Sequence, residues 1–279
     1  MCSENDEEFE RLLLHTEVRW LSKGNCLDRV FSLFSSVVEF LGTVDSALAE
    51  RLKHIQDQVA YLADIFEKFN DLNLQLRGNE NNLVESKSVV SGFIAKLPLF
   101  RGELGRRDFK RFPRMNEVSN LVDDDTLLIF LNHLTNIEAD MKERFKELLS
   151  LEIPTWILDP FEIPSDDVPG SSSLEADLID LRHDFELKPT FKKQQYRDFW
   201  LQQAVTEKCP SLWKAAKLFF IAFPTSYLVE RGFSVVSQII TKARNRRDVI
   251  ERGDLRLRLT AMPPDVEQLM NQHQVQPSH

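Results

Sequence analysis

Apolar residues recur three and four positions apart between Val59 and Leu76, and this spacing constrains the fold more than any other feature. The members of the stripe are Val59, Leu62, Phe66, Phe69, Asn73 and Leu76. Such alternation places one side of an α-helix against neighbouring helices. A buried Asn within the stripe, here Asn73, tends to fix the register of the packed helices. We therefore expect a long amphipathic helix inside a helical assembly.

The same helical period appears elsewhere along the chain. Further stripes cover residues 27–41, 83–97 and 127–148. Residues 77–82 predict a break before the second of these, and Pro98 predicts its end. Three aspartates at 123–125 suit the N-terminus of the third. With only 9 glycines in 279 residues and few strand-like runs, the predicted fold class is mainly α.

Three segments depart from the helical period. Residues 101–123 predict a basic, irregular connection. Residues 153–173 are rich in proline and serine, which is typical of a long loop or linker. Residues 255–259, LRLRL, alternate apolar and basic side chains, and this pattern predicts one short strand.

Charge is unevenly distributed along the chain. The net charge of −9 argues mildly against strong binding to a polyanion. Locally, residues 101–114 carry six basic side chains against two acidic ones, and residues 242–258 carry seven against three. A basic stretch of this kind can contact nucleic acid or an acidic partner, although an ordinary solvated face explains it equally well.

No metal, cofactor or membrane site is predicted. The three cysteines are far apart without a C-x-x-C pair, and the six histidines show no metal-ligand spacing. No glycine-rich phosphate loop is present. The longest apolar run, residues 218–223, is too short to span a bilayer. The odd number of cysteines fits a reducing compartment.

Glu230, within TSYLVERGFS, is the candidate catalytic residue. Helical geometry places it on a face with Ser226, Ser234 and Ser237, opposite an apolar stripe. That stripe comprises Val229, Phe233, Val236 and Ile240. By spacing alone, Glu230 is best explained as a solvent-facing residue near a helix N-terminus. A two-metal nuclease needs two or three converging carboxylates, and one does not make that site.

Arg19 and Trp20 form the second candidate site. A buried Trp beside an Arg at a helix start is the more common explanation of such a pair. The functional alternative is a Trp that stacks on an exposed base while the Arg contacts phosphate. The residues alone leave both interpretations open.

Three stretches together resemble hAT-superfamily transposases, in the domesticated group that includes BED-zinc-finger and SCAN-domain host proteins. Residues 12–31 resemble the RW-motif region, residues 223–249 the C-terminal dimerisation region, and residues 253–274 the C-terminal end of that group. The resemblance implies that Glu230 corresponds to the third acid of an RNase H-like triad. It also implies that Arg19 and Trp20 lie near a flipped base or hairpin end.

The resemblance further implies a domain order. It comprises a tail with the RW motif (1–26), a helical insertion domain (27–152), a Pro/Ser-rich loop (153–173) and a C-terminal dimerisation region (174–279). The packing residues expected in the last region are Val229, Phe233, Val236, Ile240, Leu255, Leu257 and Leu259. The implied partner is a second hAT-type C-terminal region, in a homo- or heterodimer.

The sequence departs from the family pattern before its RW motif. Two catalytic aspartates are expected well upstream of Arg19, but only 18 residues precede it, so the RNase H-like core is largely missing. We therefore expect no enzyme, but a catalytically inactive, transposase-derived protein that acts through protein interaction and dimerisation. The alternatives are a residual nucleic-acid-binding module, or a fragment of a larger transposase-derived protein. The expected location is nuclear or cytoplasmic, with the nucleus favoured.

Overall fold

The structure, a computed structural model, describes residues 20–77, 81–162, 172–194, 196–221 and 235–236. Over these ranges it is mainly helical and contains no strand, which confirms the predicted fold class. The predicted strand at 255–259 lies outside the described residues. The chain divides into two compact units, 1–222 and 223–279, and the structure describes the second only at Val235 and Val236. No helix of the described ranges is long and apolar enough to cross a membrane.

The helices fall into two groups along the chain. The first group is α1 (Trp20–Ser32), α2 (Phe34–Val44), α3 (Ser46–Lys53), α4 (Gln56–Leu76), α5 (Leu83–Gly105), α6 (Pro113–Glu117), α7 (Asp124–Arg144) and α8 (Lys146–Ser150), with a 3₁₀ turn at Ser119–Leu121. The second group is α9 (Thr155–Leu158), α10 (Ser172–His183), α11 (Leu187–Lys193), α12 (Tyr196–Trp200), α13 (Gln203–Lys208) and α14 (Pro210–Ile221).

Three long helices, α4, α5 and α7, enclose the first hydrophobic core together with the chain between α5 and α7. Its fully buried side chains include Tyr61, Leu97, Leu104, Phe112, Met115 and Leu134. Each large apolar side chain removed from water contributes about 1.5–3 kcal/mol. This core is therefore the main source of stability in the first group of helices.

Both predicted helix starts in this region are confirmed. Helix α4 ends at Leu76, and the predicted break at 77–82 ends with Asn82, the N-cap of α5. The Asn82 side chain accepts a hydrogen bond from Glu85 N while the Glu85 carboxylate accepts one from Asn82 N. This reciprocal capping box satisfies two N–H groups at the start of α5. Asp123 caps α7 by accepting from Thr126 N at 2.7 Å.

The predicted end of a helix at Pro98 is wrong, because α5 continues to Gly105. A proline inside a helix costs about 3 kcal/mol. The next turns bury Phe100 and Leu104, at 7% and 0% exposure, and together these contribute about 3–6 kcal/mol. Pro98 itself lies on the exposed face. Burial beyond the proline therefore outweighs its cost.

The predicted irregular connection at 101–123 is also wrong. Its first five residues finish α5, and α6 and the 3₁₀ turn follow. Its apolar residues enter the core at nearly every third position. They are Phe109, Phe112, Met115, Val118 and Val122. The basic residues between them obscured this period in the sequence.

Arg107 reverses the chain after α5. Its φ of 58° is left-handed, and Arg107 N and Asp108 N donate to Leu104 O and Glu103 O in the pattern of a Schellman helix end. That conformation costs a non-glycine residue about 1–2 kcal/mol. The Arg107 guanidinium offsets this cost by donating to Val122 O and to the Asp124 carboxylate, at 2.8 and 2.6 Å. Arg107 thereby closes the connection onto the start of α7.

Helices α9 to α14 form a second hydrophobic core. Its buried members are Trp156, Ile157, Leu178, Leu181, Leu187, Phe199, Trp200, Val205, Cys209, Leu212 and Ala216. The indole of Trp200 donates to Ile157 O at 2.8 Å. Two of these residues, Trp156 and Ile157, come from the predicted loop at 153–173, where the structure contains α9. The predicted domain boundaries remain predictions.

An ion-pair cluster with one fully buried carboxylate joins α1, α4 and α6. Asp64 on α4 is fully buried, and its carboxylate accepts from Arg114 N, Met115 N and Arg114 Nη1, the last at 2.9 Å. The same guanidinium donates to Glu67 on α4 and to Asp28 on α1. We call these four side chains, Asp28, Asp64, Glu67 and Arg114, the Arg114 cluster.

The N–H groups that surround Asp64 determine which side chains of the Arg114 cluster are charged. Burial raises the pKa of Asp64, while the N–H groups of Met115 and Arg114 oppose that rise. Burial lowers the pKa of Arg114, but its bonds to Glu67, Asp28 and Asp64 outweigh this effect and hold its pKa above the usual value. The hydrogen bonds accepted by Asp64 come from N–H groups, which an ionised carboxylate accepts best. We therefore assign Asp64 as ionised.

Replacing Asp64 by Asn tests the Arg114 cluster. The amide turns an NH₂ group towards one of the N–H donors and leaves Arg114 without its buried counter-charge, so we expect a loss of roughly 3 kcal/mol in unfolding free energy. Urea unfolding measures this loss. As a control, Glu50→Gln removes an exposed pair with Lys53 and is expected to leave the midpoint unchanged. Equal midpoints for the two variants would contradict a structural role for the cluster.

Candidate interaction surface

The predicted site residues lie mostly outside the described part of the chain. Those outside are Arg19, Val229, Glu230, Phe233, Ile240, Leu255, Leu257 and Leu259. Trp20 is the first residue of α1, and only its backbone is described. Val236 is half-buried in a helical pair with Val235. The roles predicted for all of these residues stay predictions.

Helix α1 approaches α4 very closely at Gly24. A Cβ atom at this position would lie 2.4 Å from the Asn70 side-chain nitrogen and 3.4 Å from Phe66 Cβ. Any larger residue would force the Asn70 side chain aside, so glycine permits the contact. Gly24 therefore marks a close contact between α1 and the side chains of α4.

Beside this contact, an open apolar groove runs between α4 and α7. Its volume is about 430 Å³. The groove is lined by Ile65, Phe66, Phe69, Asn70, Leu72, Asn73, Leu76, His133, Ile137, Asp140, Met141, Arg144 and Phe145. We call this feature the α4–α7 groove. Concave apolar surfaces of this size are where proteins bind other side chains or small molecules.

The stripe predicted on α4 lines this groove for much of its length. Phe66, Phe69, Asn73 and Leu76 all belong to the lining and are half-buried. Tyr61, Ile65 and Leu72 are more deeply buried, and of these Ile65 and Leu72 also line the groove. Phe69 and Leu76 in turn pack against the first core. The sequence pattern thus located residues of α4 that lie at the border between the core and the groove.

Tyr61 and His133 form a polar contact at one end of the groove. The Tyr61 hydroxyl lies 3.0 Å from His133 Nδ1 and 3.3 Å from Phe130 O, and the Tyr61 and Phe130 rings stack at 4.1 Å. Burial lowers the pKa of His133 and raises that of Tyr61. Burial at this contact therefore favours the uncharged imidazole, whether the single hydroxyl proton of Tyr61 is donated to His133 Nδ1 or to Phe130 O.

The basic segment 101–114 is largely neutralised within the protein. Beyond Arg114, four of its basic side chains lie within 4 Å of a carboxylate. The pairs are Arg101–Glu138, Arg107–Asp124, Lys110–Asp108 and Arg111–Glu103. Each pair places a carboxylate beside a cation that a phosphate backbone would otherwise attract. Most of the basic side chains counted in this segment of the sequence therefore have an acidic neighbour.

A second cavity, of about 670 Å³, lies between α4 and α5 and is more polar. Lys68, Lys96 and Arg111 are among its lining residues, together with Asp71. The Lys68 ammonium donates to Arg111 O and lies 4.7 Å from the centre of the Phe112 ring. Burial lowers the pKa of Lys68. Its charge is thus largely satisfied by its own chain.

No cluster of three or more His, Cys, Asp or Glu side chains suited to a metal ion occurs within the described ranges.

His133 predicts a pH dependence of stability. Because its pKa is lower in the folded protein than the ordinary 6.5, protons bind the unfolded chain first as the pH falls. We expect the unfolding free energy to decline below about pH 6.5. His133→Gln should remove this part of the decline, whereas His183→Gln should keep it. Urea unfolding between pH 5 and 8 measures the slopes, and identical slopes for wild type and His133→Gln would contradict the assignment.

Residues 1–105 match a family model described as FAM200-GTF2IRD2-like, the FAM200/GTF2IRD2 helical domain. That family derives from hAT-like transposases. The match ends at Gly105, the last residue of α5, although α6 and α7 complete the core that α4 and α5 begin. No solved structure matches the chain. The first 105 residues are thus similar to a helical, transposase-derived domain.

Proposed function

We propose that this chain is a catalytically inactive, transposase-derived protein that acts in the nucleus through protein–protein interaction and dimerisation. The match of residues 1–105 supports the transposase origin. The resemblance of residues 223–249 to the hAT dimerisation region supports a second copy, or a related chain, as the partner.

The exposed end of α14 is the observation that carries the interaction proposal. Leu218 and Ile221 are 70% and 56% exposed, and α14 ends at Ile221, just before the segment that resembles the dimerisation region. Neighbouring large apolar side chains exposed in this way are typical of surfaces that bind other proteins. Burying such residues at a dimer interface removes them from water.

The charge arrangement supports protein partners over nucleic acid. Ion pairs neutralise most of the basic segment 101–114, and the net charge is −9. The other basic segment, 242–258, lies outside the described residues. Contact of Arg19 and Trp20 with nucleic acid remains the alternative function.

Light scattering coupled to size exclusion tests the dimer. We expect wild type to elute as a dimer at micromolar concentration. Phe233→Asp places a charge on the predicted apolar stripe and should give a monomer, because burying an unpaired charge is costly. Gln238→Asp, about 140° around the helix from Phe233, is the matched control and should remain dimeric. A strictly monomeric wild type would overturn dimerisation.

A cleavage assay tests catalytic inactivity. With Mg²⁺ or Mn²⁺ and duplex or hairpin DNA, we expect no cleavage or strand transfer, because Glu230 alone cannot hold paired cations. A Glu230→Gln variant run alongside separates a real activity from a contaminating nuclease. Cleavage by wild type that disappears in Glu230→Gln would show that the chain is an enzyme.

A further inference from the structure

Three lysines on α11 carry positive charge that no acidic side chain offsets. Lys188, Lys192 and Lys193 are exposed, and no carboxylate of the described residues lies within 4 Å of them. They differ in this respect from the basic side chains of segment 101–114, most of which are paired. The exposed face of α11 therefore carries unpaired positive charge, although the chain as a whole has a net charge of −9.

Phe185 precedes these lysines and is the most exposed large apolar side chain of the described ranges, at 92%. Lys188 N donates to Asp184 O, so the helical turn of α11 extends back to Phe185. At about 100° per residue, Lys188 and Lys192 fall within roughly 60° of Phe185 around the helix. The buried Leu187 lies on the opposite side. The aromatic ring and two of the ammonium groups therefore share one face of the helix.

The turn that carries Phe185 is held by hydrogen bonds from two elements. The Asp184 carboxylate accepts from Glu186 N and Leu187 N, both at 2.9 Å. Lys208, at the end of α13, donates to Asp184 Oδ2 at 2.6 Å and to Glu186 Oε2 at 3.4 Å. These bonds offset the two carboxylates that flank Phe185 and fix the backbone of the turn. The exposed position of Phe185 is thus pre-organised for binding.

A second exposed apolar side chain lies at the other end of α11. Gln194, the C-cap of α11, accepts a hydrogen bond from the Gln202 side chain. This bond brings the turn after α12, with Leu201 at 54% exposure, against the end of α11. About 13 Å of helix axis separate Phe185 from Gln194. We call Phe185, Lys188, Lys192, Lys193 and Leu201 the α11 ridge.

The size of the α11 ridge favours a short acidic protein segment over nucleic acid. Its lysines span about 8 Å along the helix, whereas strongly salt-dependent binding to nucleic acid involves about six to ten phosphate contacts. The net charge of −9 also opposes a long polyanion. Aromatic side chains are enriched among the residues that contribute most to binding between proteins. An acidic segment with apolar residues at both ends therefore matches the ridge in charge and in length.

We propose that the α11 ridge binds a short acidic segment of a protein partner, with apolar residues on both sides of its acidic run. Phe185 and Leu201 contact the apolar residues, and the three lysines between them contact the carboxylates. This inference rests on the proposed function in one respect, the action of the chain through protein–protein interaction. It is separate from dimerisation through the C-terminal region, which uses other residues.

Fluorescence anisotropy with the full chain tests the proposal. The probe is a labelled synthetic peptide with four glutamates between two pairs of leucines. Wild type should bind it at micromolar concentration, and more weakly as the salt concentration rises. Lys188→Gln/Lys192→Gln should weaken binding about tenfold, because it removes two unpaired charges from the contact. Lys214→Gln/Lys217→Gln removes the same charge from an exposed pair on α14 and should leave the affinity unchanged.

A second pair of variants tests the apolar contact. Phe185→Ala should also weaken peptide binding about tenfold. Its side chain is almost fully exposed, so the variant should keep the circular dichroism spectrum of wild type. Leu128→Ala, at a residue of α7 that is 56% exposed, is the matched control and should bind the peptide as wild type does.

The proposal fails if wild type does not bind the peptide at millimolar concentration, if the two lysine variants have equal affinities, or if Phe185→Ala binds as tightly as wild type. Tighter binding of single-stranded oligothymidylate than of the peptide would also contradict it and assign the ridge to nucleic acid. Light scattering on the same samples separates this result from dimerisation. A dimer that does not bind the peptide contradicts the ridge alone, and a monomer that binds it contradicts dimerisation alone.

Discussion

The arrangement of the first helices depends on the ion pairs that the guanidinium of Arg114 makes. It lies on α6, a helix of only five residues, and pairs with Asp64 and Glu67 on α4 and with Asp28 on α1. An isolated helix of this length is not stable in water, so α6 forms because its side chains are held by the rest of the fold. In turn, the pairing fixes how far along α4 each of its neighbours lies.

That constraint also sets the position of the candidate surface. Because Asp28 is held opposite Asp64, Gly24 comes against Asn70, and the edge of α1 borders the α4–α7 groove. Phe69, Asn73 and Leu76 line this groove and are only half-buried. The ion pairs of the buried Asp64 therefore help to determine the apolar surface that begins at Ile65 and Phe66, the next two residues of α4.

Signals from neighbouring residues predicted the helical fold well. Conformations that depend on packing between residues distant in the sequence were not predicted. Asp123 and the break at 77–82 act through hydrogen bonds within a few residues, so their effect can be derived from neighbours alone. Pro98 and residues 101–123 were misjudged, because their conformation depends on a core supplied by distant helices. A signal was present in the spacing of Phe109, Phe112 and Met115, but the intervening arginines and lysines suggested a solvated chain. Their partners, such as Glu138 for Arg101, lie too far along the sequence to be recognised.

The candidate site likewise depends on residues that are distant in the sequence, so less of it could be predicted. Sequence spacing on α4 found the residues that line the groove, since an apolar stripe is recognisable whether it faces a core or a cleft. It could not distinguish those two cases, because the distinction depends on where α7 lies. For Trp20, the sequence favoured packing over base stacking and left both interpretations open. The choice between them depends on which residues surround the side chain, and the spacing of residues within one helix does not specify those neighbours.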